Sequence, residues 1–230
     1  MPRASLAVAA LLAAASLTTS AQQRDGAAPR GRGESARPTR PPLFFKEVWK
    51  QTPEGGEHPV TRDAVATANL ELKIYGAAAK DVLMSGSAQD EGNPTHLWTG
   101  MCATPCGATL RDSANAVDLS GLARIRWNTK VSGLHQVRPL LKLADGTLIV
   151  GDHADGSTAD WHVTEFSLSE VRWLRLDADK IVTKGNWLDK PDLTKVEEVG
   201  FVDLMPSSGH GPGGWSDIAA IEVFGRPVKR

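Results

Sequence analysis

The chain has 230 residues, of which 41% are hydrophobic and 23% are charged, with 26 basic and 27 acidic side chains. These proportions are typical of a globular protein and exclude collagen-like, coiled-coil and wholly disordered chains. The length predicts one domain, with two small domains as the alternative. The seven Trp outnumber the five Phe and the single Tyr together, so the chain is unusually rich in indoles.

The first 21 residues have the layout of a secretory signal peptide. Arg3 supplies a positive start, an apolar run extends from Ala7 to Leu17, and small residues precede a cleavage site after Ala21. The apolar run is about half of the ~20 residues that a membrane-spanning helix needs, and no later segment is apolar enough to span a bilayer. We therefore expect an exported protein, periplasmic or extracellular, with an uncleaved N-terminal anchor as the alternative.

Residues 22–42 contain five Arg, four Pro and three Gly but hardly any large apolar side chain. Such a segment cannot bury enough apolar surface to fold, so we expect a disordered linker. It is either a plain spacer or a basic tether to an anionic surface. Six basic and two acidic residues lie in residues 1–42, so the remainder carries a formal charge of −5. Without a clustered basic face, a nucleic-acid partner is excluded.

From Leu43 onward, apolar and polar residues alternate in short runs between turn signals. Ile125, Trp127, Thr129 and Val131 are expected to face one way, with charged and amide side chains between them. A period of two indicates half-buried strands. Helical patterns are limited to residues 61–69 and 168–173. The sequence therefore predicts an all-β protein, with a single β-sandwich over residues 43–230 and little helix.

Several segments in the second half are similar to one known fold family. These are the Val117–Leu122 turn (VDLSGL) with the strand that follows it, and the segments 160–168, 195–204 and 216–225. Together they resemble the galactose-binding-like jelly rolls, which include carbohydrate-binding modules and the complex I intermediate-associated proteins. The resemblance implies a secreted β-sandwich that binds sugars, often beside a structural calcium ion, and it assigns no ligand-binding residue.

Cys102 and Cys106 are the only cysteines. An even pair in an exported chain usually forms a disulfide, and the three intervening residues permit a short loop. A zinc site is the first alternative, with His96 as the one nearby ligand, although Cys-x3-Cys alone is a weak match. A reactive thiol is the second.

The densest polar loop, residues 151–160, contains three carboxylates. Backbone carbonyls and hydroxyls separate Asp152, Asp155 and Asp160, a composition that suits a hard, oxygen-seeking cation such as calcium. The spacing is not that of an EF-hand. The alternative is a hairpin whose Asp side chains cap turns.

A glycan site is predicted at loop tryptophans. Trp98 and Trp215 lie near Gly, Asp and His residues, and an indole face stacks well on the C–H face of a sugar. His210, His153 and Asp152 are the expected partners of the sugar hydroxyls. The alternative is that these indoles cap the ends of the core, and that alternative is stronger for Trp161, which starts a strand.

Common catalytic signatures are missing from the sequence, including Gly-x-Ser-x-Gly and His-Glu-x-x-His. We therefore expect a secreted, non-catalytic glycan-binding module. A polysaccharide hydrolase or lyase that uses carboxylates of the 152–155 loop is the first alternative, because spacing does not reveal two facing acids in a sandwich. A structural or interaction domain of an envelope assembly is the second.

Overall fold

The computed structural model describes residues 39–50, 56–177, 182–207, 209 and 211–230. The predicted signal peptide and residues 22–38 of the predicted linker lie outside this part of the chain. All described residues belong to one compact unit. Within the described ranges, no helix has both the length and the apolar character that crossing a membrane requires.

The described residues form almost only β-strands, with three single turns of 3-10 helix at Arg62–Ala64, Ala79–Asp81 and Leu168–Glu170. The strands are β1 Leu43–Val48, β2 His58–Pro59, β3 Leu70–Tyr75, β4 Leu83–Ser85, β5 His96–Trp98, β6 Cys106–Asp112, β7 Asn115–Asp118, β8 Arg124–Val131, β9 Val137–Leu143, β10 Leu148–Gly151, β11 His162–Ser167, β12 Trp173–Asp177, β13 Val182–Leu188, β14 Val196–Asp203, β15 Ser216–Phe224 and β16 Arg226–Lys229.

The strands form two antiparallel sheets. Sheet 1 has the order β11-β8-β15-β5-β4-β2. β5 pairs with the first residues of β15, and β1 pairs with the second half of β15. Sheet 2 has the order β13-β12-β10-β9-β14-β6-β3, with β7 joining β14 to β16. The predicted all-β class and the two-sheet sandwich are therefore confirmed.

The alternation predicted for β8 is confirmed by its burial. Ile125, Trp127, Thr129 and Val131 are buried, whereas Arg126 between them is exposed. The buried apolar side chains of both sheets form one core between them, which includes Trp173, Phe201 and Ile221. Removing such side chains from water is the main favourable contribution to folding.

The central strand β14 departs from simple alternation, because neighbouring residues are buried on both of its faces. Phe201 packs into the core between the sheets, while Val202 joins a second apolar cluster with Tyr75, Leu140 and Val150. Since β14 lies between β9 and β6, both of its edges are also paired. The middle of the strand, residues 199–202, accordingly contains no polar or charged side chain.

The folded part begins earlier than the predicted boundary at residue 43. Pro41 is buried, and the Gly225 N–H donates a hydrogen bond to the Pro42 carbonyl at 3.1 Å. The helical pattern at residues 61–69 produces only the 3-10 turn at Arg62–Ala64, where the Thr61 side chain makes no capping hydrogen bond. Without that cap and with β3 starting at residue 70, a longer helix does not form.

The predicted disulfide between Cys102 and Cys106 is confirmed. Both cysteines are buried and pack against Ala78 and Val82. The bond therefore closes the short connection from β5 to β6 and leaves no thiolate to serve as a zinc ligand or a nucleophile.

Replacing both cysteines by serine tests the contribution of this disulfide. A closed loop of this length removes little entropy from the unfolded chain, so we expect the free energy of unfolding to fall by about 2 kcal/mol. Urea unfolding of the variant and the parent measures the difference, and the parent under reducing conditions is the control. A loss below about 0.5 kcal/mol would contradict the loop-entropy account of the bond.

Candidate functional site

Two of the predicted tryptophans meet at one pocket on the outer face of sheet 1. Trp98 ends β5 and pairs with Asp217 of β15, while Trp215 directly precedes β15. Asp217 also pairs with Lys130 of β8, so three neighbouring strands supply the floor. The cavity has a volume of about 210 Å³ and is lined by Glu57, Ser85, Asn93, His96, Trp98, Lys130, Trp215 and Asp217.

The two indoles have different roles in this pocket. The expectation that Trp98 is an exposed loop residue is wrong: it lies on a strand, and only 3% of its surface is exposed. Gly100 lies so close to the Trp98 ring that a Cβ there would overlap it. Trp98 therefore forms a wall of the pocket, and the half-buried Trp215 is the indole that remains partly open.

Asp217 is the unusual polar group of the pocket. Its side chain is buried, and its Oδ1 atom has no hydrogen-bond partner. Burial raises the pKa of the Asp217 carboxyl to about 7, against the opposing effects of a hydrogen bond with the Trp215 side chain and of the Lys130 charge. A buried, unpartnered carboxylate oxygen in a cavity is free to bind a ligand hydroxyl.

His96 supplies a second acceptor beside Asp217. The Pro94 carbonyl lies 2.7 Å from His96 Nδ1, so this nitrogen donates and Nε2 is left as an acceptor. Burial lowers the pKa of His96, which keeps the ring neutral. The Nε2 atom lies 3.7 Å from Asp217 Oδ1. The ring of Trp161 packs against His96 at 5.2 Å between centroids and supports this side of the site.

The other predicted hydroxyl-binding residues do not reach this pocket. His153 stacks on Phe166 with ring centroids 3.8 Å apart, and Asp152 pairs with Arg172 at 2.8 Å. These partners are distant in sequence, which is why the local pattern misled the prediction. His210 lies outside the described residues.

The three carboxylates of the proposed calcium site each have a separate protein partner. Asp155 accepts a hydrogen bond from Trp127 Nε1 at 2.5 Å, Asp160 accepts one from the Trp161 backbone N–H at 2.7 Å, and Asp152 is bound to Arg172. Across the described ranges, no group of three or more His, Cys, Asp or Glu side chains is arranged to hold a metal ion. The calcium ion stays a prediction of the sequence alone.

Sequence reasoning missed Asp217 and Lys130, and it considered His96 only as a ligand of an alternative zinc site. A signal for Asp217 was available, because it and Glu222 are the only charged residues in the mainly apolar pattern of Ser216–Phe224. The convergence of the three residues depends on the pairing of β5, β15 and β8, which the sequence does not display.

No family model and no curated protein matches the sequence. Solved structures similar to this one include a family 11 carbohydrate-binding module from Clostridium thermocellum in complex with a β-1,3-1,4-mixed-linked tetrasaccharide. The two share 15% identity with a TM-score of 0.40, over 76% of this chain and 99% of that chain. Another is a putative sugar binding protein from Bacteroides thetaiotaomicron, with 13% identity and a TM-score of 0.39, over 70% of this chain and 90% of the other.

The carbohydrate recognition domain of Emp47p is also similar, at 8% identity and a TM-score of 0.36, over 74% of this chain and 94% of that one. Carbohydrate-binding modules and sugar-binding domains are thus among the solved structures to which this chain is similar.

The raised pKa of Asp217 predicts a pH dependence of stability. The unfolded chain releases this proton near its ordinary pKa of 3.8 and the folded chain near 7, so the free energy of unfolding falls as the pH rises between these values. Asp217→Asn removes this loss. Between pH 4 and pH 8, we expect the free energy of unfolding of the variant to rise by about 2–4 kcal/mol relative to that of the parent, as measured by urea unfolding.

Asp145→Asn is the control for this measurement. Hydrogen bonds with Thr147 lower the pKa of the exposed Asp145, so its removal should reduce stability above pH 4. If Asp217→Asn and the parent have parallel pH profiles, the carboxyl of Asp217 is not desolvated as described.

Proposed function

We propose that the protein is an exported glycan-binding module and that its Trp98–Trp215 pocket holds one sugar unit. The observation that carries the proposal is an indole, Trp215, beside a buried carboxylate oxygen of Asp217 that has no partner. A sugar presents an apolar C–H face to an indole and a rim of hydroxyls to polar atoms, and the pocket offers both kinds of contact.

The size and the polar lining of the pocket support a ring-sized ligand. At about 210 Å³ it is smaller than the 300–1,000 Å³ of pockets that enclose drug-sized molecules. His96 Nε2 and Oδ1 of the Asp217 carboxyl group accept hydrogen bonds, and Lys130 donates them. Hydroxyls that both donate and accept can satisfy this mixed set. Export rests on the predicted signal peptide and is compatible with the Cys102–Cys106 disulfide.

Trp215→Ala tests the site. Removing a stacked aromatic ring from a sugar site should weaken binding by about 1–2 kcal/mol or more, which is a loss of roughly tenfold. Pull-down on insoluble polysaccharides identifies the ligand, and isothermal titration with its soluble oligosaccharide then measures the affinity.

Trp187→Ala is the matched control, because it removes an exposed indole from another place. Trp187 lies on β13 of sheet 2 and is 44% exposed. The Arg172 guanidinium lies 4.4 Å from the centroid of its ring. The proposal expects the control to bind like the parent. Equal affinities of the Trp215→Ala variant and the parent, or a loss only in the control, would place the ligand elsewhere.

A second candidate function, hydrolysis of a glycosidic bond, is favoured by one observation. Asp217 is protonated up to about pH 7, as a general acid must be, and Glu57 is a second carboxylate in the same lining. The carboxylates of the 152–155 loop are instead held by Arg172 and Trp127.

Release of reducing sugar from the polysaccharide that binds distinguishes the two functions. Catalysis by Asp217 predicts turnover that Asp217→Asn reduces at least about a hundredfold, the usual contribution of general acid–base catalysis. Binding without turnover in the parent assigns the pocket to recognition alone.

A further inference from the structure

A second cavity lies away from the tryptophan pocket, on sheet 2. It has a volume of about 700 Å³, within the range of ligand pockets. One row across the sheet consists of Lys73 of β3, Thr109 of β6 and Gly200 of β14. In the next row, Glu198 of β14 pairs with Lys142 of β9. Charged side chains line it: Arg62, Glu71, Lys73, Arg111, Lys142, Glu197 and Glu198.

The acidic residues of this cavity are already bound. Glu198 is buried and accepts hydrogen bonds from Tyr75, Thr109 and Lys142 at 2.6, 2.6 and 3.0 Å. These bonds lower the pKa of its carboxyl in spite of the opposing effect of burial. Glu71 pairs with Arg111 at 3.2 Å.

Glu197 also has cationic partners. It contacts Arg230 and lies 4.0 Å from Arg111. Each carboxylate of the cavity lining therefore has at least one partner of opposite charge.

Two cations of the same lining have no such partner. Among the described residues, neither Lys73 nor Arg62 forms an ion pair with a carboxylate. The Lys73 ammonium lies 4.7 Å from the centroid of the Tyr75 ring and is close to Lys142. Burial, and to a smaller extent Lys142, lowers the pKa of Lys73 against the opposing attraction of the Glu198 carboxylate. A bound anion would relieve the repulsion between the two lysines.

We propose that this cavity binds the acid group of an anionic saccharide, a carboxylate or a sulfate, between Lys73 and Lys142. The identification of the ligand as a saccharide rests on the proposed function, whereas its negative charge rests on the cavity alone. Leu70, Leu72 and Leu143 also border the cavity, but Leu70 and Leu72 belong to the core between the sheets, so charged side chains supply most of the contacts with a ligand. The formal charge of −5 beyond residue 42 makes this local excess of positive charge distinctive.

Titration of the full chain with three polymers tests the proposal. Dextran sulfate presents a sulfate ester, polygalacturonate presents a carboxylate, and dextran is the neutral backbone of the first. We expect at least one acidic polymer to bind in 50 mM salt and to bind about tenfold more weakly in 500 mM salt, because exposed charges are screened. Whichever acidic polymer binds identifies the acid group.

Variants locate the binding. Lys73→Met keeps the apolar stem and removes the charge, and it should weaken binding of the acidic polymer at least about tenfold. Lys46→Met is the matched control, since Lys46 is a half-exposed lysine on β1 of sheet 1. Arg62→Gln alters an exposed residue and provides a second test if Lys73→Met unfolds.

Trp215→Ala separates this proposal from the previous one. Loss of acidic-polymer binding in Lys73→Met with retention in Trp215→Ala supports the cavity. If both Lys73→Met and Arg62→Gln bind acidic polymer like the parent, or if dextran binds as tightly as dextran sulfate in the Trp215→Ala background, the proposal is wrong. If Trp215→Ala loses the acidic polymer and Lys73→Met does not, the polymer binds at the tryptophan pocket and the proposal is wrong. If Trp215→Ala instead binds the neutral glycan like the parent while Lys73→Met loses the acidic polymer, the function proposed for the tryptophan pocket fails and the cavity proposal stands.

Discussion

The antiparallel register of β15 with its two neighbours is the constraint on which the tryptophan pocket depends. It places Trp98, Asp217 and Lys130 in one row across β5, β15 and β8. Since side chains alternate between the faces of a sheet, a shift of one residue in β15 would send Asp217 into the core. The core prevents that shift, because Ile218 and Ile221 fill it from the same strand.

Buried carboxylates in this molecule are of two kinds. Asp203 is bonded to His135, Thr99 and Ser216, and Glu198 likewise has three side-chain donors. Such satisfied groups hold neighbouring strands together. Asp217 is equally buried but keeps one oxygen unpartnered, and the pKa values of Glu198 and Asp217 move in opposite directions for this reason. An unsatisfied buried group reduces stability, so this oxygen of Asp217 costs the fold free energy that a ligand hydroxyl would recover.

Much of the fold was predictable because its signals are local. Alternation in β8 reports directly on which side chains are buried, and a close cysteine pair in an exported chain has few alternatives to a disulfide. The candidate site was only half predictable. The indoles of Trp98 and Trp215 stand out in any reading of the sequence, whereas His96 becomes an acceptor only through the Pro94 carbonyl and its position beside Asp217. The position of His153 away from this pocket has the same origin, since Phe166 of β11 stacks on it.

The two proposed sites differ in the interactions that would select a ligand. The tryptophan pocket holds a neutral imidazole and a carboxyl that is protonated up to about pH 7, so shape and hydrogen bonding dominate there. The cavity on sheet 2 contains Lys73 and Arg62, which form no ion pair with a carboxylate among the described residues. The attraction of an anion to these two cations depends on the salt concentration. Because the outer faces of the two sheets point away from a common core, one sugar unit cannot occupy both cavities. Simultaneous occupation therefore requires either a polymer that wraps around the domain or two separate chains, and in the second case the module would connect them.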